Sequence, residues 1–288
     1  MIKPLISVII PLYNHSQYIS QNITSIFNQT YGQENIQLIV IDDCSTDDSV
    51  IVVTELQKKF DFLFIVNKSN KGICKNINHC LTLVNGEYVC ITGSDDYWCL
   101  DKLEQQVQYM EENPDVAVCS GNPIKVDSFG NILPEKEQKQ APERTYGFKE
   151  VIMRDFPFST TLALIRKEVL DKVGNYDPKL KIEDYYMWLK ISHAGFKLHL
   201  LKQQIGYYRI HQHNTINKSI LIYDEMRKIL AAYQLNDLYC KAIKRLNIVY
   251  FPQIALLDKK RAMQLLPSAI SNTRFFYRGI YYLLKFNK

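Results

Sequence analysis

The stretch CITGSDDYW (90–98) sets Asp95 and Asp96 side by side behind Ser94. Adjacent carboxylates repel each other, so the pair needs a purpose. Two readings stand open. The pair caps a helix over 100–112, or it holds a divalent cation that in turn holds a diphosphate. Mg²⁺ and Mn²⁺ take oxygen ligands, and one or two carboxylates plus substrate phosphates suffice. Three further constellations repeat the theme. Asp42-Asp43 in IVIDDCSTDDS suits hydrogen bonds to a nucleobase or ribose, or a plain turn. Glu183-Asp184 in KIEDYYMWL suits a general base, or a favourable charge at a helix N-terminus. YRIHQHN brings Arg209, which can grip phosphate, and His211, which can ligate Mn²⁺; His213 reads as structural.

These groups stand at the ends of predicted strands. LISVIIPLY, IQLIVIDDCS, FLFIVN and GEYVCIT read as strands, the first two as continuous apolar runs buried on both faces. Between them lie helical patterns. In SQYISQNITSIFNQ, Ile19, Ile23 and Phe27 recur at helical spacing and Ser16 is placed to cap. DDSVIVVTELQKKF begins beside Asp47 and Asp48, which suit a helix N-terminus. The order β-α-β-α-β-α-β predicts an α/β fold: a Rossmann-like, mostly parallel sheet flanked by helices. Ligands then bind at the carboxyl ends of the strands, where Tyr13-Asn14, Asp42-Asp43, Asn67 and Ser94-Asp95-Asp96 collect. The polar stretch 128–147 reads as a surface loop or lid. Helical, aromatic and basic patterning from about 219 predicts two parts: a catalytic domain over 1–215 and a helical C-terminal extension over 216–288.

The bulk numbers agree. The 288 residues are 47% hydrophobic and 23% charged, enough to bury a sizeable core. No P-loop, G-x-G-x-x-G or G-x-S-x-G occurs, which argues against Walker-type NTPases, dinucleotide dehydrogenases and α/β-hydrolases. The 7 cysteines lack a C-x-x-C pair and read as reduced, buried small hydrophobes. Pro4 and Pro11 bracket the first apolar run and no small-residue cleavage site follows. We expect a cytoplasmic protein, with the inner face of the cell membrane as the further expectation. Residues 216–288 carry 13 Lys and Arg against 4 Asp and Glu, whereas 1–215 carry 22 against 26. The basic tail RFFYRGIYYLLKF suits an interfacial membrane helix, or an amphipathic helix packed on the protein. Nucleic acid is not an expected partner, because no reading motif accompanies the charge.

Taken in order, SVIIPLYN, IVIDDCSTDDS, NKGICKNIN, GEYVCITGSDDYW, VGNYDPKLKIEDYYMWLKIS and YYRIHQHN resemble the family 2 glycosyltransferases of the GT-A fold. The resemblance implies inverting transfer of a sugar from a nucleoside diphosphate, UDP ahead of dTDP, to a hydroxyl of a saccharide or lipid-linked saccharide in bacterial surface polysaccharide synthesis. It implies that Pro11 and Tyr13, with Asn14, surround the nucleobase and that Asp43, ahead of Asp42, bonds its edge. Lys75 and Asn78 would lie near the nucleotide, and Ser94, Asp95 and Arg209 would complete the donor site. Asp95, Asp96 and His211 would hold Mn²⁺ or Mg²⁺. Asp184 would be the general base with Glu183 beside it. The sequence departs from the family at Gly93, where the first Asp of D-x-D usually meets the ribose. That departure supports a rival reading, a catalytically decayed nucleotide-sugar or polysaccharide binding module.

Overall fold

A computed structural model describes residues 3–211 and 219–285. The chain divides into Met1–Phe148 with Phe156–His211, and Lys149–Asp155 with Gln212–Lys288. The expected boundary at 215 and His213 lie outside the described residues. The short return 149–155 groups with the C-terminal helices, which no sequence pattern marks. Within that second unit Arg154 lies over the Tyr250 ring and Arg245 pairs with Asp155 at 3.4 Å.

The first unit holds one sheet of nine strands among the described residues: β1 Ile6–Leu12, β2 Ile36–Asp42, β3 Leu63–Val66, β4 Tyr88–Ile91, β5 Tyr97–Trp98, β6 Val116–Val126, β7 Arg144–Tyr146, β8 Leu164–Arg166 and β9 Lys197–Arg209. Their order is β3-β2-β1-β4-β8-β6-β9-β5, with β7 on β9. The block β3-β2-β1-β4 is parallel throughout. Its crossovers are α1 Ser16–Phe27, α2 Ser49–Leu56 and α3 Ile73–Leu81. Helices on both faces leave the central strands no wet side, which is why β1 is apolar at consecutive positions: Val8, Ile9 and Ile10 are all fully buried. Beyond β4 the direction reverses through β8, and β6 and β9 run parallel again. The remaining helices of this unit are α4 Lys102–Glu112, α6 Lys167–Val173 and α7 Asp184–His193, while α5 Phe148–Ile152 belongs to the second unit from Lys149 onward.

Two expectations change here. Helix α4 begins at Lys102 behind Asp101, so Asp95 and Asp96 do not cap it; Tyr97 and Trp98 leave the turn as β5, paired with Tyr207 and Gly206. The stretch 128–147 is fastened rather than loose. Asn122 holds Ala141 from both sides of its amide, Gln138 bonds Lys125 and Leu133, and β7 joins the sheet.

The second unit comprises α8 Ser219–Ala231, α9 Tyr239–Leu257, α10 Lys259–Ala269 and α11 Thr273–Lys285. Tyr223, Leu246, Phe251, Ile254 and Leu265 are buried there. Gly279 lets α11 approach α9, because a side chain at that position would collide with the Phe251 ring. No described helix is long and apolar enough to cross a membrane.

One acidic residue ties together two helix starts beside the strand ends. Asp47 accepts the Ser16 N–H on Oδ2 and the Ser49 N–H on Oδ1, each at 3.0 Å. Ser16 is therefore the capped residue rather than the cap, and His15 occupies the N-cap position of α1. Asp47→Ala removes both acceptors and should cost about 1–2 kcal/mol, read as a lower Tm by calorimetry. Asp47→Asn, with one acceptor oxygen left, should fall between Ala and wild type.

Candidate active site

The site forms where β1, β2 and β4 end. The segment Gly93–Trp98 follows β4, and of it only Tyr97 and Trp98 pair with a neighbouring strand. Helix α1 supplies the partners from one face. Asn22 Nδ2 donates to the carbonyls of Gly93 (2.9 Å) and Asp96 (2.7 Å), and the Trp98 N–H donates to Ser25 Oγ (3.0 Å). Gln29 continues the row, donating to Cys99 O at 2.7 Å and accepting from Leu103 N at 3.1 Å. From the other side Thr161 Oγ1 accepts the Gly93 N–H at 3.1 Å.

The two carboxylates of this turn have opposite environments. Asp96 points inward and accepts the Arg209 backbone N–H at 2.8 Å. Burial first, and the neighbouring Asp95 second, push its carboxyl well above the usual range. Asp95 has a different partner: its Oδ2 lies 2.9 Å from His211 Nε2. His15 joins them: one ligand atom each from His15, Asp95 and His211 lie within 4.8 Å of one another. His15 Nδ1 lies 2.7 Å from Ser94 Oγ, and the His211 ring sits against Tyr18 and His15 at centroid distances of 5.6 and 5.7 Å. A carboxylate and two imidazoles form a donor set that fits a divalent cation. Of the expected Asp95-Asp96-His211 trio, the structure brings Asp95 and His211 together, with His15 beside them and Asp96 outside the group.

Arg209 differs most from expectation. Its side chain is only 2% exposed. Nε donates to Asp95 O at 2.8 Å and Nη2 to Gln21 Oε1 at 2.7 Å, while Nη1 reaches the carbonyls of Asp127 and Ser128 at 3.3 Å. The guanidinium also lies over the rings of Tyr18 and Tyr97. A buried cation spends its donors on whatever surrounds it, and here they hold the turn rather than a phosphate. Gly93 fits the same arrangement. A Cβ at that position would lie 2.8 Å from Asp95 Oδ1, so any side chain there would push the Asp95 carboxylate aside.

The remaining sequence-predicted residues separate into exposed and internal groups. Tyr13 is 47% exposed at the end of β1, with Pro11 behind it. Asn14, at φ 54, accepts the Thr46 N–H at 2.7 Å and so locks two strand-end loops together. Asp42 is fully buried and accepts the Ser45 N–H at 2.9 Å. Asp43 accepts from Lys71 N, Gly72 N and Asn67 Nδ2 at 2.7, 2.9 and 3.1 Å. Burial opposes its charge, yet the surrounding donors, the Asn76 amide and the bonds from Lys71, Gly72 and Asn67, prevail and hold it below the usual range. Lys75 is exposed on α3. Asn78 is occupied elsewhere: its amide both donates to and accepts from the Tyr176 backbone. The structure thus gives Asn14, Asp42, Asn78 and Arg209 internal bonds where donor contacts were expected.

At the other edge Asp184 begins α7, and its Oδ1 accepts the Tyr185 N–H at 2.6 Å. Burial first, then the Asp184 charge, push Glu183 up to about 8. Tyr208 connects the two edges. Its hydroxyl is pushed up to about 12, by burial first and then by the charges of Asp96, Asp95 and Asp184. Sequence reasoning missed His15, Tyr18, Asn22, Thr161 and Tyr208. For His15 a signal existed, since it directly follows Tyr13-Asn14 at a strand end.

Comparison with known proteins gives this site its setting. Over 214 residues the chain is 28% identical to UDP-Glc:alpha-D-GlcNAc-diphosphoundecaprenol beta-1,3-glucosyltransferase WfaP of Escherichia coli, covering 72% of this chain and 78% of WfaP. Structurally it resembles S. aureus TarS 1-349 in complex with UDP-GlcNAc, with a TM-score of 0.68, 21% identity, and coverage of 96% of this chain and 81% of that one. It also resembles the mannosyltransferase PcManGT of Pyrobaculum calidifontis in complex with GDP-Man and Mn²⁺, with a TM-score of 0.65, 16% identity, and coverage of 98% and 86%. At such identities the two structures establish the fold, which is GT-A. The sequence profile of Glycosyl transferase family 2 matches residues 7–174, and with the strand-end site described above the chain belongs to the family 2 glycosyltransferases.

Proposed function

We propose that the protein transfers a sugar, with inversion, from a UDP-sugar to a hydroxyl of a saccharide or lipid-linked saccharide in bacterial surface polysaccharide assembly. The observation that carries this reading is the Asp95–His211 contact of 2.9 Å in the turn that follows β4. WfaP supports it, because its name specifies UDP-Glc and a diphosphoundecaprenol-linked acceptor.

Each residue then has a task. Tyr13 offers an exposed ring against which the base can stack. Asp43 and the 67–72 backbone it organises stand beside that ring's strand end and border the base. Lys75, exposed on α3, offers a cation toward the nucleotide. Asp95 and His211 fit a divalent ion, Mn²⁺ or Mg²⁺, which when bound neutralises charge on the departing diphosphate. Asp184 accepts the proton of the acceptor hydroxyl as that oxygen attacks the anomeric carbon and the nucleoside diphosphate leaves from the opposite face. Such base catalysis contributes about 10²–10⁴-fold. Glu183, pushed up to about 8, keeps its proton at neutral pH and leaves the base role to Asp184.

The test is a thermal-shift panel of UDP, dTDP, GDP and CMP with Mn²⁺, Mg²⁺ or EDTA, followed by UDP-release assays with UDP-sugars. UDP should raise Tm only with metal, and Asp95→Ala should abolish the shift. Asp184→Asn should keep the shift and lower turnover about 10²–10⁴-fold. No shift with any nucleotide would favour a decayed binding module.

We also propose peripheral contact with the inner face of the cell membrane. Helix α11 exposes Tyr277, Tyr281 and Leu284 and carries Arg274 and Arg278, the apolar-plus-basic mixture of interfacial helices. Full-length protein should co-sediment with anionic vesicles and less with neutral ones, and Tyr281→Ser with Leu284→Ser should weaken this. Equal, negligible sedimentation of both proteins would remove the membrane contact.

A further inference from the structure

We infer that His15 is a third protein ligand, which makes the site a two-imidazole, one-carboxylate centre. Such a centre selects a first-row transition ion over Mg²⁺ and takes it up before the nucleotide arrives. The inference rests on the reading that Asp95 holds the donor's cation.

The geometry comes first. Two atoms that each lie about 2.0–2.2 Å from one ion stand at most about 4.4 Å apart. The ligand atoms of His15, Asp95 and His211 already lie within 4.8 Å of one another, so a few tenths of an ångström bring them onto a common centre. These groups are also prepositioned. His15 sits at the N-cap of α1 beside Asp47's double cap, with Ser94 Oγ 2.7 Å from its Nδ1. His211 is packed between the Tyr18 and His15 rings. The Asp95 backbone is held by buried Arg209. Orientation of this kind preserves ligand geometry and is costly to lose.

The chemistry sets the ion class. Mg²⁺ prefers oxygen, dehydrates reluctantly, and usually binds one or two carboxylates completed by substrate phosphates. Imidazole suits first-row transition ions instead. Three protein ligands do not require phosphates to retain the ion, and they leave further positions for diphosphate oxygens and water. The order of binding follows: metal, then nucleotide.

The test uses the full chain without nucleotide. MnCl₂ and MgCl₂ are titrated by calorimetry, and pulsed EPR of Mn²⁺ on protein labelled with ¹⁵N-histidine counts the coordinated imidazoles. Expected are binding of Mn²⁺ in preference to Mg²⁺, two coupled imidazoles, and at least a roughly tenfold weaker Mn²⁺ affinity in His15→Ala, since losing even an outer partner costs 10–100-fold. One coupled imidazole, or equal affinity for the two ions, overturns the inference; the wild-type EPR count decides even if His15→Ala folds poorly. Nucleotide binding separates the two readings. UDP stabilisation with a single coupled imidazole defeats the role of His15 and leaves the donor site standing. Two coupled imidazoles without any nucleotide response support the His15 centre and defeat the donor reading.

Discussion

The burial of Arg209 is the constraint on which the rest of the site depends. A guanidinium removed from water must have its donors matched, and this one is matched by carbonyls and an amide from separate parts of the chain. Its backbone N–H fixes Asp96 and its Nε fixes the Asp95 carbonyl, so one residue sets both members of the acidic pair. Asn22 and Thr161 complete the hold on the same turn. The position of Asp95 beside His211 is thus a consequence of packing beneath it.

The acidic pair works because its members are unequal. Two exposed adjacent carboxylates would repel, and a single cation would be shared between them. Here burial drives Asp96 toward its neutral form, which lowers the repulsion and leaves Asp95 to face the two imidazoles. Glu183, beside Asp184 at the start of α7, is likewise pushed up, by burial first and then by the Asp184 charge.

Much of this was legible in the sequence. The parallel block β3-β2-β1-β4 showed itself because its strands are near-continuous apolar runs, of which the inner ones are buried on both faces, and the strand-end rule then collected Tyr13, Asp42, Asp43 and Asp95 in one region. The illegible parts have a common cause. β5 is two residues long and exists only because β9 pairs with it. Arg209 reads alike whether it grips a phosphate or a carbonyl, since only the fold decides its burial. His15 and His211 come from opposite ends of the unit, so no spacing relates them. Gly93 looked like a lost ligand, whereas the close approach of Asp95 gives it a steric reason.

The most direct measurement is a crystal structure of the protein with UDP and Mn²⁺, read at the manganese absorption edge. The anomalous peak should lie on the Asp95 carboxylate, with Asp96 still accepting the Arg209 N–H and the guanidinium still buried beneath the turn. A manganese peak on Asp96, with Arg209 swung out to the diphosphate, would overturn this assignment.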